Sequence, residues 1–105
     1  MVAGKATFYD AGSGSCGLVN KDSDRIVAIS HLIYGQYANP NTAAVCGQCL
    51  SVRSNVTGKS TKVTITDKCM GCDRSHIDLS KAAWDDLGIS QDAGVIGISF
   101  TLTKC

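Results

Sequence analysis

The chain has 105 residues, of which 44% are apolar and 18% are charged, and its formal net charge is +1. This length suits one domain with its own core, yet it is short enough for covalent cross-links to matter. No basic run is present, and no stretch approaches the roughly 18 apolar residues of a membrane span. We therefore expect a single domain over residues 1–105, with neither nucleic acid nor a membrane as partner.

Short strands dominate the predicted elements. Residues 5–9 form a β-prone opening, and residues 26–29 form a continuous apolar run that is typical of a buried strand. A short helical turn is expected before the next strand. Residues 49–53 and 60–66 then flank a turn in which Gly58 reverses the chain, so they predict a β-hairpin.

One helix is predicted in the second half of the chain. Ser80 is a suitable N-cap for residues 81–87, and Gly88 would end the helix in a left-handed conformation. Residues 94–103 then close the chain as a β-branched strand. Many short strands with one clear helix favour a small barrel over a parallel α/β sheet.

The six cysteines allow three interpretations. Cys46-Gly47-Gln48-Cys49 and Cys69-Met70-Gly71-Cys72 are C-x-x-C pairs whose separation falls in the zinc-ribbon range, but such a site would leave Cys16 and Cys105 unused. A redox-active pair should open a helix after a strand, whereas here a strand follows the first pair. Three disulfides use all six cysteines and suit an oxidising compartment, although their positions alone leave the pairing open.

Residues 65–80 are the chemically richest stretch, with Asp67, His76 and Asp78 beside two cysteines. Period-two alternation places Asp67 on the same apolar row as Ile65 at the end of a strand, where we expect it to lie at the mouth of a barrel. Asp78 lies just before the predicted helix, where an acid often stabilises the N-terminus. Ser80 can already serve as the cap, which leaves Asp78 available for a site.

Five motifs stand out along the chain: Thr7-Phe8-Tyr9, Cys16-Gly17, Cys46-Gly47-Gln48-Cys49-Leu50, Val63-Thr64-Ile65-Thr66-Asp67-Lys68-Cys69 and His76-Ile77-Asp78-Leu79-Ser80. They occur in the order found in expansin-like double-psi β-barrels, and the chain resembles the single-domain fungal loosenins in particular. More distant resemblances are to plant expansins, barwin, rare lipoprotein A and family 45 endoglucanases. The resemblance implies a mainly β, six-stranded double-psi β-barrel with one or two short helices, cross-linked by disulfides, with an open groove for polysaccharide.

The same resemblance implies the residues of that groove. Thr7, Tyr9, Asp67 and Asp78 match its lining, with Asp78 as the essential acid and Asp67 as its support. We add Trp84 as a candidate sugar contact, although an indole in mid-helix more often packs in a core. The family pattern also implies the disulfides Cys16–Cys46, Cys49–Cys105 and Cys69–Cys72.

Asp10 bears on whether the chain cleaves a glycan. Inverting family 45 endoglucanases need a second carboxylate as base, about 6.5–9.5 Å from the acid. Their base lies in a Thr-x-Tyr-x-Asp pattern, whereas this chain reads Thr7-Phe8-Tyr9-Asp10, one residue short. On a strand that offset turns the carboxylate to the opposite face, so we expect no hydrolysis. His31 and His76 are assigned no role.

The sequence therefore predicts a secreted protein that binds glucan or chitin chains of cell walls and loosens their packing without cutting them. We expect a monomer without a metal, a cofactor or a carbohydrate-binding module. Two alternatives stay open. One is a lytic transglycosylase or weak glycoside hydrolase; the other is a protease-inhibitor or defence-type binding protein on the same barrel.

Overall fold

The computed structural model describes residues 2–12, 14, 16, 17, 19–30 and 46–105. Six strands in these ranges form a closed barrel, as the sequence predicts. The strands are β1 (Val2–Tyr9), β2 (Ile26–Ser30), β3 (Cys49–Ser54), β4 (Ser60–Cys69), β5 (His76–Ser80) and β6 (Ile96–Thr103). Their order around the barrel is β1-β5-β2-β4-β3-β6. The β1–β5 and β2–β4 pairs are parallel, whereas the other pairs are antiparallel.

Local signals placed the hairpin and the helix correctly. Gly58 has a φ of 75° in the turn between β3 and β4, and Gly88 has a φ of 73° after the helix. The helix α1 covers Lys81–Asp86, and Ser80 is its N-cap because its hydroxyl accepts the amide of Ala83. No helix in the described ranges is long and apolar enough to cross a membrane.

Strand β5 is the element that the residue pattern missed. Residues 76–80 lie directly before the helix with no turn between them, so no separate strand was predicted there. Ile77 and Leu79 are fully buried, so the stretch alternates as a strand should. The short helical turn expected before β3 falls on residues 31–45, which lie outside the described ranges.

The barrel interior and α1 share one apolar core. Val27, Val52, Ile77, Leu79 and Ile98 are each fully buried. Helix α1 packs against β1, β4 and β5, and its Trp84 ring lies 4.9 Å from that of Phe8, centroid to centroid. The core therefore holds β5 rigidly between β1 and β2.

Three disulfides account for all six cysteines: Cys16–Cys46, Cys49–Cys105 and Cys69–Cys72. These are the pairs that the family resemblance implies. Since no cysteine is free, a four-thiolate zinc site has no thiolates to use, and neither C-x-x-C segment is a dithiol.

Candidate functional site

Four residues from four neighbouring strands line up across the barrel wall. Thr7 on β1 pairs with Asp78 on β5, Asp78 pairs with Ala28 on β2, and Ala28 pairs with Asp67 on β4. We call this set the acidic row. Adjacent strands lie about 4.8 Å apart, so the Cα atoms of Asp78 and Asp67 are separated by roughly 10 Å with a small alanine between them. The row brings together three of the residues that the resemblance implied.

Strand alternation turns the acidic row away from the core. Ala6 on β1 and Ile77 and Leu79 on β5 are fully buried in the barrel. Their neighbours Thr7 and Asp78 are only partly buried, because successive side chains on a strand point to opposite faces. The buried residues of β1 and β5 therefore hold Thr7 and Asp78 on the outer face of the barrel wall.

A β-bulge places Asp67 in this row. Val27 pairs with Ile65, but the next residue, Ala28, pairs with Asp67, so Thr66 is the extra residue. The expectation that Asp67 continues the apolar row of Ile65 is therefore wrong, since one added residue reverses the alternation. Instead, Asp67 lies opposite Ala28. Its Oδ1 accepts the amide of Lys68 at 2.8 Å.

Asp78 has the perturbed carboxyl group of the site. Burial raises its pKa above the usual value, and the charge of Asp67 adds to the rise. The Thr7 hydroxyl donates to Asp78 Oδ1 at 2.9 Å, and this bond and the nearby His76 act in the opposite direction. The net rise means that the site holds the carboxylate at an energetic cost.

Tyr9 lies two residues beyond Thr7 on the same face of β1. Burial raises the pKa of its hydroxyl to about 12, and the negative charges of Asp67 and then Asp78 add to this rise. Both carboxylates therefore act on this phenol. At neutral pH the Tyr9 hydroxyl keeps its proton and remains able to donate.

His76 is the site residue that the sequence analysis missed. Its Nε2 lies 2.9 Å from the hydroxyl oxygen of Thr7, which also contacts Asp78. The signal was its spacing of two residues from Asp78, which puts both on one face of a strand. That spacing carried no information while residues 76–80 were not recognised as a strand.

Trp84 does not belong to the site. Its side chain is fully buried in the core, so it cannot contact a sugar, and its candidate role is corrected to packing. Asp10 forms an ion pair with Lys81 at 2.6 Å and its side chain is 80% exposed, outside the acidic row. His31, to which the sequence analysis assigned no role, lies outside the described ranges.

In the part of the chain that the structure describes, the arrangement is rich in hydrogen-bonding groups and poor in exposed rings. Among the described residues, no donor reaches the second oxygen of Asp78, Oδ2. Together with the Tyr9 hydroxyl and Asp67, it suits a ligand that carries many hydroxyl groups. No group of three His, Cys, Asp or Glu side chains in the described ranges is placed to hold a metal ion.

This fold and site define a double-psi β-barrel, and the comparisons with known proteins agree. The model of a double-psi β-barrel family, described as lytic transglycolase, matches residues 1–100. The chain belongs to this family, so the expected double-psi β-barrel is confirmed.

Two kinds of relatives are similar over nearly the whole chain. The papain inhibitor of Streptomyces mobaraensis is 38% identical over 98% of this chain and 72% of its own length. Expansin-like protein 1 of Dictyostelium discoideum is 34% identical over 100% of this chain, which spans 39% of that protein.

Solved structures show the same two kinds. The Streptomyces papain inhibitor aligns with a TM-score of 0.87 and 38% identity, covering 98% of this chain and 94% of that one. An aspartate-to-asparagine mutant of the Clavibacter michiganensis expansin, in complex with cellohexaose, aligns with a TM-score of 0.80 and 31% identity. That alignment covers 97% of this chain and 50% of the expansin.

Proposed function

We propose that this chain is an extracellular protein that binds a cell-wall polysaccharide along the acidic row and loosens its packing without cleaving it. The observation that carries the proposal is the alignment of Thr7, Asp78, Ala28 and Asp67 in one row. The similarity to an expansin that was solved with cellohexaose supports it. The three disulfides suit an oxidising, extracellular setting.

The physical basis of loosening is competition between hydrogen bonds. Asp78 Oδ2 and the Tyr9 hydroxyl offer one chain's hydroxyl groups new partners, in place of those on the neighbouring chain. Asp67 shares this task, and Thr7 holds the other oxygen of Asp78. Ala28, which lies between the two acids, has a small side chain and is itself buried. Binding energy alone then separates the chains, and no covalent bond is broken.

The test measures binding to cellulose, chitin and peptidoglycan together with the release of soluble sugars. The parent is compared with Asp78→Asn, and with Asp85→Asn as a matched control, because Asp85 is exposed on α1 outside the row. We expect the parent and Asp85→Asn to bind at least one polysaccharide without releasing sugars. Asp78→Asn should bind about 10-fold or more weakly, as expected for a lost hydrogen bond to a charged group.

Three outcomes would overturn the proposal. Sugar release that disappears in Asp78→Asn would make the chain an acid-dependent lytic enzyme, and anhydro-sugar products would identify a transglycosylase. Equal binding by the parent and Asp78→Asn, or no binding to any of the three polysaccharides, would remove the acidic row from the function.

Inhibition of a papain-like protease is the second candidate function. It is favoured by the 38% identity to the Streptomyces papain inhibitor, which extends over 98% of this chain and 94% of the solved inhibitor chain. The test is hydrolysis of a chromogenic peptide by papain in the presence of the parent or Asp78→Asn. Equal inhibition by both proteins would assign that activity to a surface other than the acidic row. Without inhibition by the parent, this candidate fails.

A further inference from the structure

The Thr7 hydroxyl contacts two titratable side chains at once. Its oxygen lies 2.9 Å from Asp78 Oδ1 and 2.9 Å from His76 Nε2. Thr7 lies on β1, and the other two residues lie two positions apart on β5. The three side chains therefore form one continuous hydrogen-bonded line along the site.

The single proton of a hydroxyl fixes the direction of this line. An ionised carboxylate can only accept, so Thr7 must donate its proton to Asp78. The Thr7 oxygen then accepts from His76, which requires a proton on Nε2. The neutral Nε2–H form and the imidazolium ion both meet this requirement, so the direction is the same in both charge states of His76.

We propose that His76 is a positioning residue that acts on Asp78 through the Thr7 hydroxyl, holding Oδ1 so that Oδ2 faces the ligand. The effect on ligand binding rests on the proposed polysaccharide function, whereas the coupling between the side chains does not. His76 has no direct bond to Asp78 in this arrangement. Removing Thr7 should therefore also remove the part of the His76 influence that the hydroxyl carries.

Other charged groups surround the line. Lys5 on β1 pairs in register with His76, and the amide of His76 donates to the carbonyl of Asp73 in the preceding loop. Asp67 on β4 and the Tyr9 hydroxyl on β1 face Asp78. Strand β2 adds no titratable side chain. Among the described residues, the charges that act through space on the pKa of Asp78 are those of His76 and Asp67.

The test is a double-mutant cycle read by carbon-13 NMR of the Asp78 carboxyl during a pH titration, without any ligand. Thr7→Val and His76→Ala should each raise the pKa of Asp78, since each removes a group that favours the carboxylate. We expect the rise caused by His76→Ala to be at least halved in the Thr7→Val background. Thr7→Ser, which retains the hydroxyl, should restore the full effect.

Equal rises in both backgrounds would show that His76 acts through space alone and would overturn the proposal. Near-ultraviolet circular dichroism of each variant checks that the tertiary packing is retained. His76→Gln is the second variant, because its amide can donate to Thr7 without a charge. It should retain polysaccharide binding that His76→Ala weakens by about 2- to 10-fold, as expected for one hydrogen bond.

The two hypotheses can fail separately. A parent that binds no polysaccharide but shows the coupling would end the proposed function and leave the positioning role. A parent that binds polysaccharide while the cycle is additive would end only the positioning role.

Discussion

Two aspartates in different regions of the molecule each accept a hydrogen bond from a threonine hydroxyl, but Asp86 also pairs with an arginine. Asp78 in the acidic row accepts from Thr7 at 2.9 Å, and Asp86 at the end of α1 accepts from Thr61 at 2.8 Å. Arg25 also donates to Asp86, with Nη2 3.0 Å from Oδ1. The Arg25 hydrogen bond lowers the pKa of Asp86, whereas burial raises the pKa of Asp78.

Ionisation of these two aspartates therefore has opposite effects on the stability of the folded protein. Because the pKa of Asp86 is lowered in the folded state, its ionisation stabilises the protein. Because the pKa of Asp78 is raised, its ionisation costs stability at neutral pH. A residue that costs stability and faces solvent is typical of a functional site.

The largest expected effect comes from removing a disulfide. One disulfide should matter mainly for stability, and another should matter for polysaccharide binding as well. Removing Cys49–Cys105, with its sequence separation of 56, should lower the free energy of unfolding by about 4 kcal/mol by loop entropy. Removing Cys69–Cys72, with a separation of 3, should cost about 2 kcal/mol but weaken polysaccharide binding, since Cys69 ends the strand that carries Asp67. Urea unfolding and binding of the two double alanine variants check this. A larger stability loss for Cys69–Cys72 would contradict it.

The substitutions Asp78→Asn and Asp86→Asn test directly whether one aspartate serves binding and the other serves stability. Asp78→Asn should weaken polysaccharide binding by about 10- to 100-fold while thermal stability at neutral pH stays equal or rises. Asp86→Asn should leave binding unchanged and lower stability, because Arg25 loses its charged partner. Thermal unfolding and a binding isotherm on each variant provide both readouts. If Asp78→Asn is the less stable of the two, the assignment of the two acids is reversed.

Thr7→Val and Thr61→Val apply the same change to the two hydroxyl partners. Each variant loses one hydrogen bond to a carboxylate, so we expect effects of about 1 kcal/mol in different measurements. Thr7→Val should weaken binding, whereas Thr61→Val should lower the denaturant midpoint and leave binding unchanged. Weaker binding by Thr61→Val would mean that the two regions are coupled.

The smallest effect is the pH dependence of stability, and its sign differs between the two acids. Asp86 contributes stability above the ordinary aspartate pKa that is lost as pH falls through its lowered value. Asp78 acts oppositely, since stability falls as pH rises from the ordinary value through its raised pKa. Between about pH 3 and 7, the urea midpoint of Asp86→Asn should therefore decrease less on acidification than that of the parent. The urea midpoint of Asp78→Asn should decrease less than that of the parent as the pH rises. The Asp86 contribution should stay below about 1 kcal/mol, because Arg25 is exposed.

Local signals in the sequence predicted the elements that local chemistry decides. Gly58, Ser80 and Gly88 fixed the hairpin turn and the two ends of α1 because each acts on its own backbone. Such signals could not predict the acidic row. The row depends on the parallel pairing of Thr7 with Asp78 and on a bulge at Thr66, and residue periodicity indicates neither of them.

The residue pattern singled out Asp67 and Asp78 as candidates, and the family resemblance supplied their expected roles in a groove. The structure then showed why the two acids lie near each other. His76 was missed because its relation to Asp78 exists only on a strand, and β5 is too short and too polar to be recognised by pattern. Trp84 was misassigned because an indole in a helix can face either solvent or core, and only packing decides.

The parallel pairing of β1 with β5, which are distant in sequence, also makes ligand binding a measure of how far the barrel has folded. Thr7 and Asp78 are 71 residues apart, and the acidic row takes one residue from each of four strands. An intermediate in which any of these four strands is unpaired cannot hold all four residues, and contacts this distant in sequence form slowly. During refolding, the capacity to bind a ligand should therefore recover only after these four strands have paired, later than the local helix.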